Sequence, residues 1–126
     1  MQSAEKHITG LSVVMFPVTD QDASVKFYEQ LGFEKRTDTP FGNGDRWVEV
    51  AHPGAATAIA LVIPPEGRPI EHGVVGLSTG DADAAHAALR EPGVEVGDIM
   101  RMGPPVPTMF HAGDPDGNSL WIVESM

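Results

Sequence analysis

Five histidines, His7, His52, His72, His86 and His111, are the side chains best suited to hold a metal or move a proton near neutral pH. Their surroundings in the chain predict a helical site for His86, positions ahead of strands for His7 and His72, and one after a strand for His52. His111 is expected on a strand, one residue from the nearest inward-facing positions. These placements predict five unconnected surface or boundary histidines; the alternative is an unusual site built from His72, His111 and a carboxylate. Trp47 and Glu49 stand two residues apart, so on a strand they share one face. If that face lines a cleft, the indole can stack on a ligand and the carboxylate can bind a cation or a hydrogen-bond donor. If it lies under a helix, Trp47 is core and Glu49 pairs with an Arg or Lys. No cysteine is present, which removes disulfides, thiolate ligands and thiol nucleophiles. No Gly-x-Ser-x-Gly elbow or phosphate-cradling glycine loop occurs. The Asp20/Asp22 and Asp81/Asp83 pairs suit helix starts rather than acid/base dyads.

The elements that must position these residues repeat. Asp20-Gln21-Asp22-Ala23 returns 61 residues later as Asp81-Ala82-Asp83-Ala84. At the same offset Gly32-Phe33-Glu34 falls on Gly93-Val94-Glu95, Val13-Val14 on Val74-Val75, and Leu61-Val62 on Ile122-Val123. Each copy opens with a short β-branched run, 11–18 and 73–79, read as a strand. An Asp-capped helix follows, ended by Gly32 in the first copy and by Pro92-Gly93 in the second. In the first helix Ala23, Phe27 and Leu31 are expected to face a sheet, with Lys26, Glu29 and Gln30 in water. Three more strands complete each copy, at 33–38, 45–51 and 56–63, then near 94–99, 107–112 and 118–124. Asp114-Pro115-Asp116-Gly117-Asn118 is a strong turn signal between the last two. The pattern is βαβββ twice: a first module at about 8–63, a polar Pro-rich linker at 64–72, and a second module at about 73–125, within a single domain spanning 1–126.

The chain has 126 residues, 41% hydrophobic and 21% charged, which suits one globular domain. A formal charge of −10 argues against nucleic acid as a partner, because phosphate binding needs clustered Lys and Arg. No run approaches the ~20 apolar residues of a membrane span, and the N-terminus, Met-Gln-Ser-Ala-Glu-Lys-His, has no long apolar signal segment. A cytoplasmic protein with no membrane partner is the expectation.

Val18-Thr19-Asp20-Gln21-Asp22-Ala23-Ser24, Phe27-Tyr28 and Leu31-Gly32-Phe33 resemble the opening of vicinal oxygen chelate proteins. So do Arg46-Trp47-Val48-Glu49-Val50 with Pro53-Gly54, and the closing Phe110 with Asp114-Pro115-Asp116-Gly117-Asn118. This superfamily includes glyoxalase I, extradiol dioxygenases, and fosfomycin and bleomycin resistance proteins. The resemblance implies an α+β fold in which tandem βαβββ modules form a cup-shaped mixed sheet around a ligand. In metal-dependent members, His, Glu or Gln on the inner strands hold a divalent ion that chelates two substrate oxygens. By the family's spacing those positions are Val13, Ala60, Val74 and Trp121, none of which can ligate a metal. Residues 55–63 contain no His, Asp, Glu or Gln, so a small register error does not restore a ligand there.

The resemblance and these residues together imply a metal-free, cofactor-free small-molecule binding protein, a homodimer that sequesters or senses an unidentified ligand. The expected ligand-binding residues are Val13, Met15, Trp47, Glu49, Ala60, Val62, Val74, Met109, Trp121 and Val123. Met100, Met102, Pro104, Pro105, Pro107 and Met109 form either a mobile rim or an ordinary Pro-rich loop. Two alternatives remain: a lyase-, isomerase- or dioxygenase-type enzyme with a non-standard site, using a base such as Glu49 or His111, and an interaction module whose cup is filled by side chains.

Overall fold

The computed structural model describes residues 4–125; Met1 to Ser3, part of the N-terminal stretch read above, and Met126 lie outside the described residues. After a 3-10 turn at Ala4–Lys6, the first unit runs β1 (Val13–Pro17), α1 (Gln21–Glu29), β2 (Glu34–Phe41), β3 (Asp45–Ala51) and β4 (Ala58–Val62). The second runs β5 (Val74–Thr79), α2 (Ala82–Arg90), β6 (Met109–Gly113) and β7 (Ser119–Glu124). Both helices start for the same local reason. Asp20 accepts from the Ala23 N–H and Asp81 from the Ala84 N–H, each at 3.0 Å, a cap contributing about 1 kcal/mol. Each is followed by a glycine at positive φ, Gly32 at 87° and Gly93 at 93°, where a side chain would strain the backbone.

The strands form a four-stranded sheet, β1-β4-β3-β2, and a three-stranded sheet, β5-β7-β6. The first and last strands of each unit pair in parallel and the other pairs are antiparallel. This α+β arrangement is the fold class the resemblance implies.

Two local expectations are corrected. Residues 94–99 form no fourth strand in the second sheet; Val96 meets Ala112 in an isolated bridge, as does Met100, just past the segment, with Met109. Between those bridges the segment advances four residues while β6 advances three, and this extra residue breaks the ladder. In α1 the buried face is Gln21, Ser24, Val25 and Tyr28, whereas Ala23 is exposed and Phe27 and Leu31 are only half-buried. Polar satisfaction explains the rotation. The Gln21 amide donates to the Arg46 and Leu61 carbonyls at 2.9 Å each, and the Tyr28 hydroxyl donates to Asp114 at 2.8 Å. Buried polar groups with partners cost little.

One apolar cluster draws on both units, including Phe16, Tyr28 and Phe33 from the first and Phe110, Leu120 and Ile122 from the second. It occupies the helix side of both sheets. The opposite faces are left open: Met15 is 46% exposed and Val74 is 67% exposed. No described helix is long and apolar enough to cross a membrane.

Candidate functional site

Alternation along the strands decides which side chains reach the open faces. In the first sheet Phe16, Val48, Val50, Ile59 and Leu61 are buried on the helix side, so their neighbours Met15, Trp47, Glu49, Ala60 and Val62 point the other way. Register places Met15 opposite Ala60, Ala60 opposite Glu49, and Glu49 opposite Thr37, one continuous row across the sheet. Val13 and Val62 lie in the flanking rows, opposite Ala58 and Pro17. Trp47 and Glu49 therefore stand on the face away from α1, and Glu49 has an Arg partner there as well.

The sequence pattern does not identify that Arg partner. The β2–β3 register shifts between Lys35 and Thr37, so Arg36 is an extra residue without a cross-strand partner. A bulge of this kind re-aims a side chain, and Arg36 Nη2 donates to Glu49 Oε1 at 3.3 Å while Nη1 donates to the Ala55 carbonyl at 3.0 Å. The other carboxylate oxygen, Oε2, accepts from the Trp47 indole N–H at 2.6 Å. Nothing in the residue types between 34 and 38 announces a bulge.

In the second sheet Val74 and Gly76 of β5, Trp121 and Val123 of β7, and Met109 and His111 of β6 share the open face, because Phe110, Ala112, Leu120 and Ile122 fill the helix side. His111 pairs directly with Trp121, their rings edge-to-face at 5.2 Å. The expectation that His111 falls one residue from the inner positions is thus corrected. It stands ten residues before Trp121, whereas Glu49 stands eleven before Ala60. The second hairpin is one residue shorter, so the constant offset of 61 fails there and Glu49 and His111 occupy equivalent places. Along the expected rim, Met100 and Met102 are exposed and Met109 is half-buried.

His52, His86 and His72 make backbone or packing contacts. His52 Nε2 lies 3.0 Å from the Leu31 carbonyl with its ring 4.0 Å from Phe33, and His86 Nε2 lies 2.9 Å from the Gly97 carbonyl. His72 packs its ring against Gly117. Among the described residues no group of three His, Asp or Glu is arranged to hold a metal ion.

A cavity of about 420 Å³ opens at one end of the first sheet, beneath the β2–β3 hairpin. Trp47, Val62, Phe41 and Ile63 supply its apolar walls, and Gln21, Asp45, Arg46 and Glu66 its polar ones. Phe41 and Ile63, not among the expected site residues, are 54% and 51% exposed. On the helix side of the same hairpin, Arg46 bridges Asp22 at 3.0 Å and Asp38 at 2.7 Å. Hydrogen bonds from Arg46 and then Lys35 hold the Asp38 carboxyl well below the usual carboxylate range. This network ties α1 to the sheet, and its Arg46 also lines the cavity.

A model of the Glyoxalase/Bleomycin resistance protein/Dioxygenase superfamily matches residues 10–122, nearly the whole chain. The chain belongs to this superfamily. Among solved structures it is similar to TnmS3, an antibiotic binding protein from Streptomyces sp. CB03234. The identity is 34% and the TM-score 0.81, over 94% of this chain and 98% of that one. A superfamily member from Sphaerobacter thermophilus DSM 20745 is also 34% identical, with a TM-score of 0.84 over 94% and 99% of the two chains. UcmS2 is 28% identical, with a TM-score of 0.79 over 94% and 99%. A comparison with curated proteins finds no match.

The superfamily's metal-dependent members place donor side chains on the first and last strands of each unit. At the corresponding Val13, Ala60, Val74 and Trp121 stand two valines, an alanine and an indole whose nitrogen only donates. Divalent ions need imidazole nitrogen or carboxylate oxygen, so these residues do not fit a metal.

Proposed function

We propose that this superfamily member is a metal-free binding protein that sequesters or senses a small, largely apolar molecule on the open sheet faces. The observation that carries the reading is the lining itself. Hydrocarbon and indole groups occupy the places where chelation would require donors, and Trp47 and Val62 also wall a cavity of about 420 Å³. Such a surface gains affinity from apolar burial, with few polar groups left to orient the ligand. The likeness to TnmS3, an antibiotic binding protein, supports a small-molecule ligand.

The same proposal makes the chain one domain of two modules, placed in the cytoplasm, and a homodimer. Within one chain the helix sides share a core, which leaves Met15 and Val74 exposed on separate faces. A second copy laid across them completes a cleft with Val13, Met15, Trp47, Ala60 and Val62 on one wall and Val74, Met109, Trp121 and Val123 on the other. A second reading, a lyase or isomerase, has one observation in its favour: His111 reaches the open face beside Trp121.

The test is a titration with the neutral fluorophore N-phenyl-1-naphthylamine, alongside light scattering for mass. Saturable uptake, insensitive to EDTA and reduced at least tenfold in Val62→Arg and Val74→Arg, is the expected result. Uptake unchanged in both variants overturns the proposed surface, and uptake abolished by EDTA overturns the metal-free reading.

A further inference from the structure

Glu49 was expected to meet the ligand as a carboxylate, yet both of its oxygens are already engaged. Oε2 takes the Trp47 indole N–H at 2.6 Å and Oε1 takes Arg36 at 3.3 Å. Its side chain is 15% exposed, against 39% for Arg36. The guanidinium is itself anchored on the Ala55 carbonyl at 3.0 Å. The three groups form a chain that starts on the 53–57 turn, crosses the bulge in β2 and ends on the indole that walls the cavity.

We infer that Arg36 and Glu49 are positioning residues that lock the Trp47 ring as a rigid wall, so the site recognises a flat ring by stacking rather than a charge by ion pairing. This rests on the binding function proposed above and assigns Glu49 a different part in it. Three physical points carry it. An indole N–H bonded to a carboxylate is a charge-assisted hydrogen bond, roughly twice as strong as a neutral one, and it removes rotamer freedom from the ring before any ligand arrives. A wall ordered in advance spares the binding step that entropy. Arg36 balances the carboxylate, so a cation drawn to Glu49 would have to displace a partner fixed at two points. The bulge leaves Arg36 beside Glu49; a regular β2 extended from the hairpin would pair it with Val50 and turn it to the face of Asp38.

The experiment uses the full chain with both tryptophans for probe binding, and Trp121→Phe, which leaves Trp47 as the only tryptophan since the sequence has two, for the Trp47 fluorescence readouts alone. Two probes are titrated: neutral N-phenyl-1-naphthylamine and cationic proflavine. Trp47 anisotropy, acrylamide quenching and thermal melting are followed in parallel. Glu49→Ala is expected to weaken both probes by a similar factor of about ten, with lower anisotropy and greater quenching of Trp47. Glu49→Gln, which keeps an acceptor oxygen but no charge, is expected to hold the neutral probe within about threefold of wild type. A fold-only role would move the melting temperature while leaving Trp47 anisotropy and probe affinity intact, and that outcome overturns the inference. So does loss of proflavine alone in Glu49→Ala, which would make Glu49 a direct contact. If Glu49→Ala does not fold, Arg36→Met serves: weaker binding of both probes supports positioning, and a gain for proflavine alone overturns it. Unchanged probe binding in Trp47→Ala would instead sink the binding surface proposed earlier, independently of what Glu49 does.

Discussion

Between β3 and β4 the first unit turns through residues 52–56, which are exposed and close on one backbone bond, Ala55 N–H to the His52 carbonyl. Between β6 and β7 the second unit turns through Asp114 to Asn118, and there the carboxylate and amide are buried. Asp114 accepts from the Asn118 and Asp116 backbone N–H groups, from Asn118 Nδ2 and from Tyr28 across the unit boundary. Asn118 reaches the Pro17 carbonyl, and Asp116 takes both the backbone and hydroxyl of Thr19. One turn connects two strands; its counterpart also clamps the two units together. A shared plan therefore carries unequal duties, and the inequality lies in side chains rather than in strand order.

The largest expected effect tests that clamp directly. Asp114→Ala leaves the Tyr28 hydroxyl, the Asn118 amide and two backbone N–H groups without their acceptor, so urea unfolding should show a loss of about 3 kcal/mol or more. Ala56→Ser in the exposed turn of the first unit should stay within about 0.5 kcal/mol. Equal losses would erase the distinction between the turns.

A second contrast concerns close approach. A Cβ on Gly73 would clash with the buried Phe16 ring, so Gly73→Ala should cost about 1–3 kcal/mol through overpacking. Ser12, its counterpart 61 residues earlier, is exposed, and Ser12→Ala should leave the urea midpoint unchanged.

Tyr28 offers a titration that its counterpart Leu89 lacks. Burial, then the Asp114 charge, pushes its phenol well above the ordinary value of 10.0. The protonated form is favoured in the folded state, so stability is intact below pH 10 and falls as the unfolded phenol ionises above it, by at most about 1.4 kcal/mol per pH unit. As the sequence holds one Tyr, absorbance at alkaline pH should show no phenolate until unfolding. Tyr28→Phe should cost about 1.5 kcal/mol at neutral pH and lose this alkaline component.

The smallest contrast is between the arginines that hold the equivalent Asp22 and Asp83. Arg46 meets both Asp22 of α1 and Asp38 of β2, whereas Arg101 meets Asp83 alone. Arg46→Ala should lower the urea midpoint slightly and Arg101→Ala should leave it unchanged, as isolated solvent-exposed pairs contribute little. The Asp22 and Asp38 carboxyls are both held below their ordinary value of 3.8, chiefly by hydrogen bonds from Arg46. Their contribution is present above about pH 4 and lost as pH falls below it, a loss that Arg46→Ala should blunt in acid unfolding.

The repeat at an offset of 61 determined the fold plan, because local signals do not depend on distant partners. Asp20 and Asp81 cap their helices, Gly32 and Gly93 end them, and alternation orients Val13, Met15, Ala60 and Val62 on one side of the first sheet. The absence of donor side chains at the four ligand positions was equally legible, since it is a matter of residue type. Tertiary structure decided what required knowing how many residues oppose how many. The bulge at Arg36 and the one-residue-shorter second hairpin each shift facing by a single position, and in a structure with a period of two that exchanges inside for outside. Only the folded chain could therefore give Glu49 its two partners and set His111 beside Trp121.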